Sequence, residues 1–91
     1  MTKSVENRSV FLMRAPQVKQ DHGLKNSTFY KLIQNGEFVP PIRIAARSVA
    51  WPSNESDAIK AARIAGKSTD EIKALVKQLV AQRTSPAPTS I

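Results

Sequence analysis

Apolar positions in this chain recur in several short patterns rather than in one long run. Phe11-Leu12-Met13 is a brief apolar stretch that reads as a strand or as a buried lead-in. Ala15-Pro16 follows, and a proline in the first helical turn gives up only an N–H that has no intrahelical partner, so a short helix is expected from Pro16 through His22. Gly23 stands where a left-handed residue closes a helix, with Leu24 placed to fold back as the apolar contact of that cap. A second helix begins almost at once. Asn26, Ser27 and Thr28 are all capping residue types, and Phe29, Leu32 and Ile33 fall on one helical stripe until Gly36 ends the pattern. The opposite face carries Asn26, Ser27, Tyr30, Lys31 and Gln34, side chains with the chemistry of base-edge and phosphate contacts.

Val39-Pro40-Pro41 excludes helix, and Ile42-Arg43-Ile44 then alternates at the period of a strand. Ala45 to Ser48 breaks the alternation and Val49-Ala50-Trp51 resumes it, which predicts a hairpin with Arg47 near its tip and with Val49 and Trp51 on one side. Pro52 ends the second strand. Asn54, with Asp57 three residues on, is placed to cap a third helix running to about Ala65, with Gly66 as its stop. Ser68 and Glu71 form the S-x-x-E capping box that opens a fourth helix, whose Ile72, Leu75, Val76, Leu79 and Val80 make a continuous apolar stripe while Lys73, Lys77 and Gln78 face away. The expected organisation is a flexible start over 1–8, a compact unit over 9–66, an amphipathic C-terminal helix over 67–83, and a Pro/Ser/Thr-rich disordered tail over 84–91.

Composition narrows the chemistry. The chain has 91 residues, with 14 Lys and Arg against 7 Asp and Glu, a net charge of +7 and a pI near 10.3. One small domain fits this length, and its core is too small to favour a buried enzyme cleft. Without cysteine there is neither a disulfide framework nor a thiolate metal site, and one histidine does not make a zinc centre, so no cofactor is expected. MTKSVENR has no apolar signal core, and no apolar run approaches the roughly 20 residues that span a bilayer, which points to a cytoplasmic protein without a membrane partner. The charge is uneven. Arg14, Lys19, Lys25, Lys31, Arg43 and Arg47 face only Asp21 and Glu37 in the interval they bound, whereas 69–91 is almost balanced. A polyanionic partner is implied for the middle of the chain.

A helix-turn-helix followed by a basic hairpin is the constellation that carries most information. The major groove of duplex DNA admits one helix, so a short bracing helix and a second helix with a polar outer face form a workable reading head, with the hairpin beside it. The same elements also occur in small domains of other function, where the polar face is only solvated. From about Val10 to Ala65, the stretches GLKNSTFYKLIQNGEF, PIRIAARSVAW and DAIKAARIA resemble the AlpA family of prophage and integrative-element regulators, in both spacing and order. The resemblance implies a mainly α, MerR-like winged helix-turn-helix related to phage excisionases, with a small β-hairpin wing, to which this chain adds a C-terminal helix. It implies sequence-specific binding of double-stranded DNA in the nucleoid, with the recognition helix over Asn26 to Asn35 and the wing over Ile42 to Trp51. The family usually has Ser-Arg where this chain has Lys25-Asn26, commonly has Gly where Ala45 or Ala46 stands, and often has an aromatic at the position of Ile59. Asn pairs with adenine where Arg pairs with guanine, so the preferred DNA site is expected to differ from that of relatives.

The expected DNA-facing residues are Lys25, Asn26, Ser27, Thr28, Tyr30, Lys31, Gln34, Arg43 and Arg47. Lys25, Lys31, Arg43 and Arg47 suit phosphate, Asn26, Tyr30 and Gln34 suit base edges, and Ser27 and Thr28 serve either phosphate or the helix cap. Trp51 is a candidate base-stacking platform, but its shared face with Val49 favours the core. His22 reads as a surface residue near a helix end, and Glu55 and Asp57 as first-turn carboxylates that complement a helix dipole. Ile72, Leu75, Val76, Leu79 and Val80 either cover the chain's own core, the default for so small a domain, or pair with a second copy. Three functions stay open: a transcriptional regulator of a phage or mobile element, an excision factor that bends attachment-site DNA for an integrase, and a protein-interaction adaptor acting through the fourth helix. Beyond DNA, the partners these readings name are an integrase and a second copy of the chain, as a homodimer or in cooperative assembly on DNA.

Overall fold

The computed structural model describes residues 10–84, apart from the Thr84 side chain. In chain order these form β1 (Leu12–Met13), α1 (Ala15–His22), α2 (Asn26–Gln34), β2 (Ile42–Ala45), β3 (Ser48–Pro52), α3 (Ser53–Ile64) and α4 (Thr69–Thr84). The expected flexible start over 1–8 lies outside the described residues. Of the expected tail, Thr84 ends α4 and the rest lies outside them as well. Four helices around a small antiparallel sheet make a mainly helical winged helix-turn-helix.

Helix ends follow local chemistry where the sequence supplies it. Gly23 adopts φ 67° with no atom near its missing Cβ, so it is the left-handed backbone and not crowding that calls for glycine there. Its N–H donates to Gln20 O, and the Leu24 N–H reaches Lys19 O at 2.8 Å, turning the chain sharply from α1 into α2. At Ser68 the capping box is complete: the Ser68 N–H donates to Glu71 Oε1 at 2.8 Å and the Glu71 N–H to Ser68 Oγ at 3.2 Å.

Other ends depart from expectation. α1 begins at Ala15, one residue early, because the Gln17 side chain accepts the Arg14 N–H at 3.0 Å. The N-cap of α2 is Lys25, which makes no side-chain cap, and Asn26, Ser27 and Thr28 all lie inside the first turn. α3 begins at Ser53 after Pro52, so neither Asn54 nor Asp57 caps it. The cause lies just before β1: Ser53 N–H donates to Phe11 O at 2.7 Å, and Ser53 Oγ accepts the Phe11 N–H at 2.9 Å, which ties the start of α3 to the residue that leads into the strand.

The Phe11-Leu12-Met13 run supplies a strand. Its order in the sheet is β1-β3-β2, with Met13 opposite Trp51 and Arg43 opposite Val49. Pleating puts Met13, Trp51, Val49 and Arg43 on one face. Between Arg43 and Ala45 the register shifts, so β2 carries one residue more than β3 just before the turn that holds Arg47.

Aromatic side chains organise the core. Phe29 of α2 lies 5.1 Å from the Trp51 ring and 5.4 Å from Phe38, and all three are buried. Trp51 is fully buried and its Nε1–H donates to Val39 O at 3.0 Å, so the side chain is a core element and not a stacking platform. Val49, on the same face, extends past the core edge and is exposed. Val18, Ile59 and Met13 complete the central layer. α4 covers one side of it: Ile72, Val76 and Leu79 belong to the core, and Leu75 and Val80 pack against it.

Candidate functional site

α1 and α2 meet through the tight turn at Gly23, and α2 is held against the sheet by Phe29. With Phe29 inward, the helix turns its other side chains out. Asn26, Ser27, Thr28, Tyr30, Lys31 and Gln34 are all exposed, as is Lys25 at the cap. Tyr30 is braced edge-on by the Phe29 ring at 5.0 Å, which limits the directions its hydroxyl can take. Every residue expected to face a ligand from this helix is therefore accessible to one.

The wing contributes the remaining cations. Arg43 and Arg47 are exposed. Arg43 stands on the sheet face that carries Trp51, which is the face α2 packs on, so its side chain leaves the hairpin on the α2 side. Arg47 occupies the turn between β2 and β3. Exposed Ile44 and Val49 give the distal hairpin an apolar component as well.

Acidic groups are absent from the first turns of α1 and α2, whereas α3 has Glu55 and α4 has Asp70 and Glu71 there. The positive end of the α2 dipole is left without an acidic side chain or a side-chain cap, a condition that favours anions. Asp21, the acidic residue of α1, is paired with Lys60 of α3 at 2.7 Å.

Sequence reasoning missed the partners of three side chains. Lys19 of α1 donates from Nζ to Asn26 Oδ1 at 2.9 Å, linking the two helices at the exposed surface. His22, expected at the surface, is half-buried: it shares a hydrogen bond with Ser56 at 2.9 Å and meets the Phe38 ring edge-on at 5.1 Å. Burial lowers its pKa, with Arg63 and Lys60 adding to the shift and Asp21 and the Ser56 contact opposing it. Glu55 does stand in the first turn of α3, but it is buried and held by Arg83. None of these three had a local signal, since each depends on a partner in another element.

Among the described residues, no group of three His, Asp or Glu side chains could hold a metal ion. No helix among them is long and apolar enough to cross a membrane.

Two comparisons bear on this architecture. A protein of Enterobacteria phage P4, described as "Uncharacterized protein ORF88", is 44% identical over 55 residues, 60% of this chain. The match spans 62% of that relative, less than two thirds of its length. No solved structure matches the chain. The family model of the prophage CP4-57 regulatory protein (AlpA) matches residues 11–58, a stretch that contains β1, the helix-turn-helix, the whole wing and the first half of α3. With more than half its length covered, this chain belongs to the AlpA family of prophage regulatory proteins.

Proposed function

We propose that this protein is a sequence-specific regulator of transcription in a phage or mobile element, working by inserting α2 into the major groove of double-stranded DNA while the wing lies along the backbone or minor groove. The observation that carries this is the outer face of α2, where Lys25, Asn26, Ser27, Thr28, Tyr30, Lys31 and Gln34 are all exposed and no carboxylate interrupts them. Lys25, Lys31, Arg43 and Arg47 contact phosphates and set register, and Asn26, Tyr30 and Gln34 meet base edges. The work is binding, and no cofactor takes part in it. Such a protein acts in the cytoplasm, on the nucleoid.

An adaptor acting through α4 would need its apolar stripe, and Ile72, Val76 and Leu79 are buried in the chain's own core. That burial favours the DNA reading over the adaptor. The same burial leaves a second copy little of the stripe to pair with.

The test is duplex binding by the purified chain across a salt series. With about four to six phosphates neutralised, log affinity should fall against log salt with a slope of roughly −4 to −5. A slope near zero rejects the proposal.

A further inference from the structure

We infer that Lys19 is a specificity-determining residue that biases Asn26 toward donating to the base edge. The inference rests on the DNA-binding reading above and specifies its chemistry at one base pair. Lys19 Nζ lies 2.9 Å from Asn26 Oδ1. An ammonium group has donors and no acceptor, so the carboxamide must turn its oxygen to Lys19 and its Nδ2 hydrogens away. Among the described residues nothing accepts from Nδ2. Asn26 is the first residue of α2 and is exposed, and the first turn of a recognition helix is the part that meets base edges.

A free asparagine pairs with adenine by donating to N7 and accepting from N6 at once. In this chain one lone pair of the carboxamide oxygen already accepts from Lys19, and the ammonium beside it repels the partly positive N6 hydrogens of an adenine brought to the other. The donors that remain suit an edge with acceptors only, and guanine offers N7 and O6 side by side. Lys19 still has two N–H groups beside the same point, which adds positive charge toward those acceptors. Cytosine presents an N4 donor and is the base most strongly rejected. The pair therefore selects guanine, not the adenine expected from an isolated Asn.

Selection from a randomised duplex library by the full chain tests this, with N26A, N26D and K19M run in parallel and each checked for unchanged thermal unfolding. The natural chain should enrich guanine and deplete cytosine roughly 10-fold at one position that N26A flattens. N26D retains the Lys19 contact as an ion pair but has no donor, and should lose guanine at that position. K19M releases the carboxamide, and the preference there should move toward adenine while the other positions stand. Three outcomes overturn the inference and leave the DNA reading intact: adenine selected by the natural chain at the N26A-sensitive position; an N26A profile unchanged at every position; or a K19M chain that keeps guanine and loses affinity equally for all sequences, the behaviour of a simple phosphate contact. Absence of any selected sequence with the natural chain overturns the sequence-specific reading itself.

Discussion

Arg83, near the end of α4, closes on both carboxylate oxygens of Glu55 at the start of α3, with Nη2 to Oε1 at 2.6 Å and Nε to Oε2 at 2.9 Å. The same Nη2 donates to Pro40 O at 2.7 Å, so one guanidinium joins α4, α3 and the segment leading into the wing. Glu55 is 6% exposed and Arg83 18%. Removing one partner of so enclosed a pair leaves a charge that neither water nor protein satisfies. R83M should therefore lower stability by about 3 kcal/mol. The double variant E55M/R83M should recover most of that loss. Denaturant midpoints at constant m value measure both, and a single variant no weaker than the double would show that the pair does not hold the helices together.

Deleting α4 should unfold the rest of the chain, although the family match ends at residue 58. Ile72, Val76 and Leu79 are part of the one core, and each such side chain contributes about 1.5–3 kcal/mol by its burial. The sum is comparable to the whole stability of a small domain, about 5–15 kcal/mol. A chain ending at residue 67 should lack a cooperative thermal transition followed by circular dichroism. A sharp transition near that of the full chain would make α4 an independent appendage.

Trp51 is the single tryptophan, and its complete burial gives the folded state a blue-shifted emission that moves to the red on unfolding. W51F removes the indole N–H from Val39 O and leaves unfilled space beside Phe29. Loss of about 2–3 kcal/mol is expected from the orphaned carbonyl and the cavity together. Chemical denaturation of W51F, followed by circular dichroism, gives the value, and a loss below about 0.5 kcal/mol would show that the site refills without cost.

His22 supplies a pH dependence with a definite sign. Its pKa in the fold lies below the ordinary 6.5 because burial, with the Phe38 ring against it, disfavours the imidazolium. Between the folded and unfolded pKa values the unfolded chain binds the proton more readily, so stability rises with pH there. The contribution is complete above 6.5, declines as pH falls through that value, and levels off below the lowered folded pKa. Asp21, Arg63, Lys60 and Ser56 face this ring; Arg63 and Lys60 add to the shift, and Asp21 and Ser56 oppose it. Midpoints of the natural chain and of H22Q across pH 5 to 8, roughly the range in which histidine titrates, should converge on acidification. Parallel curves would assign the dependence to other groups.

Alanine at Arg43 or Arg47 should weaken duplex binding equally for all sequences and reduce the magnitude of the salt slope by about 0.9 each. Neither side chain has a partner among the described residues, so folding should be unchanged. A change of base preference at one position, with the slope intact, would place that arginine in a groove and not on the backbone.

The order of elements was legible in the sequence because its causes are local. Periodicity marked α2 and α4, Gly23 and Gly66 marked helix ends, Ser68 with Glu71 marked a capping box, and the paired alternations around Arg47 marked the wing. The outward face of α2 was legible too, since Phe29, Leu32 and Ile33 define the inward one. What residue types alone misplaced were the helix starts. Asn26 and Asn54 are good capping residues, yet Asn26 is drawn to Lys19 and the start of α3 is fixed by Phe11 and Ser53.

By itself, then, the sequence determined the elements, their amphipathic faces and the basic character of the surface, all of which arise from neighbours a few residues apart. Only the tertiary structure decided which polar groups meet. Glu55 with Arg83, His22 with Ser56, and Lys60 with Asp21 are joined across 28, 34 and 39 residues. No period or motif encodes such pairs, because they form only when packing of the apolar core brings distant helices together and sets each polar group beside whatever partner the fold supplies.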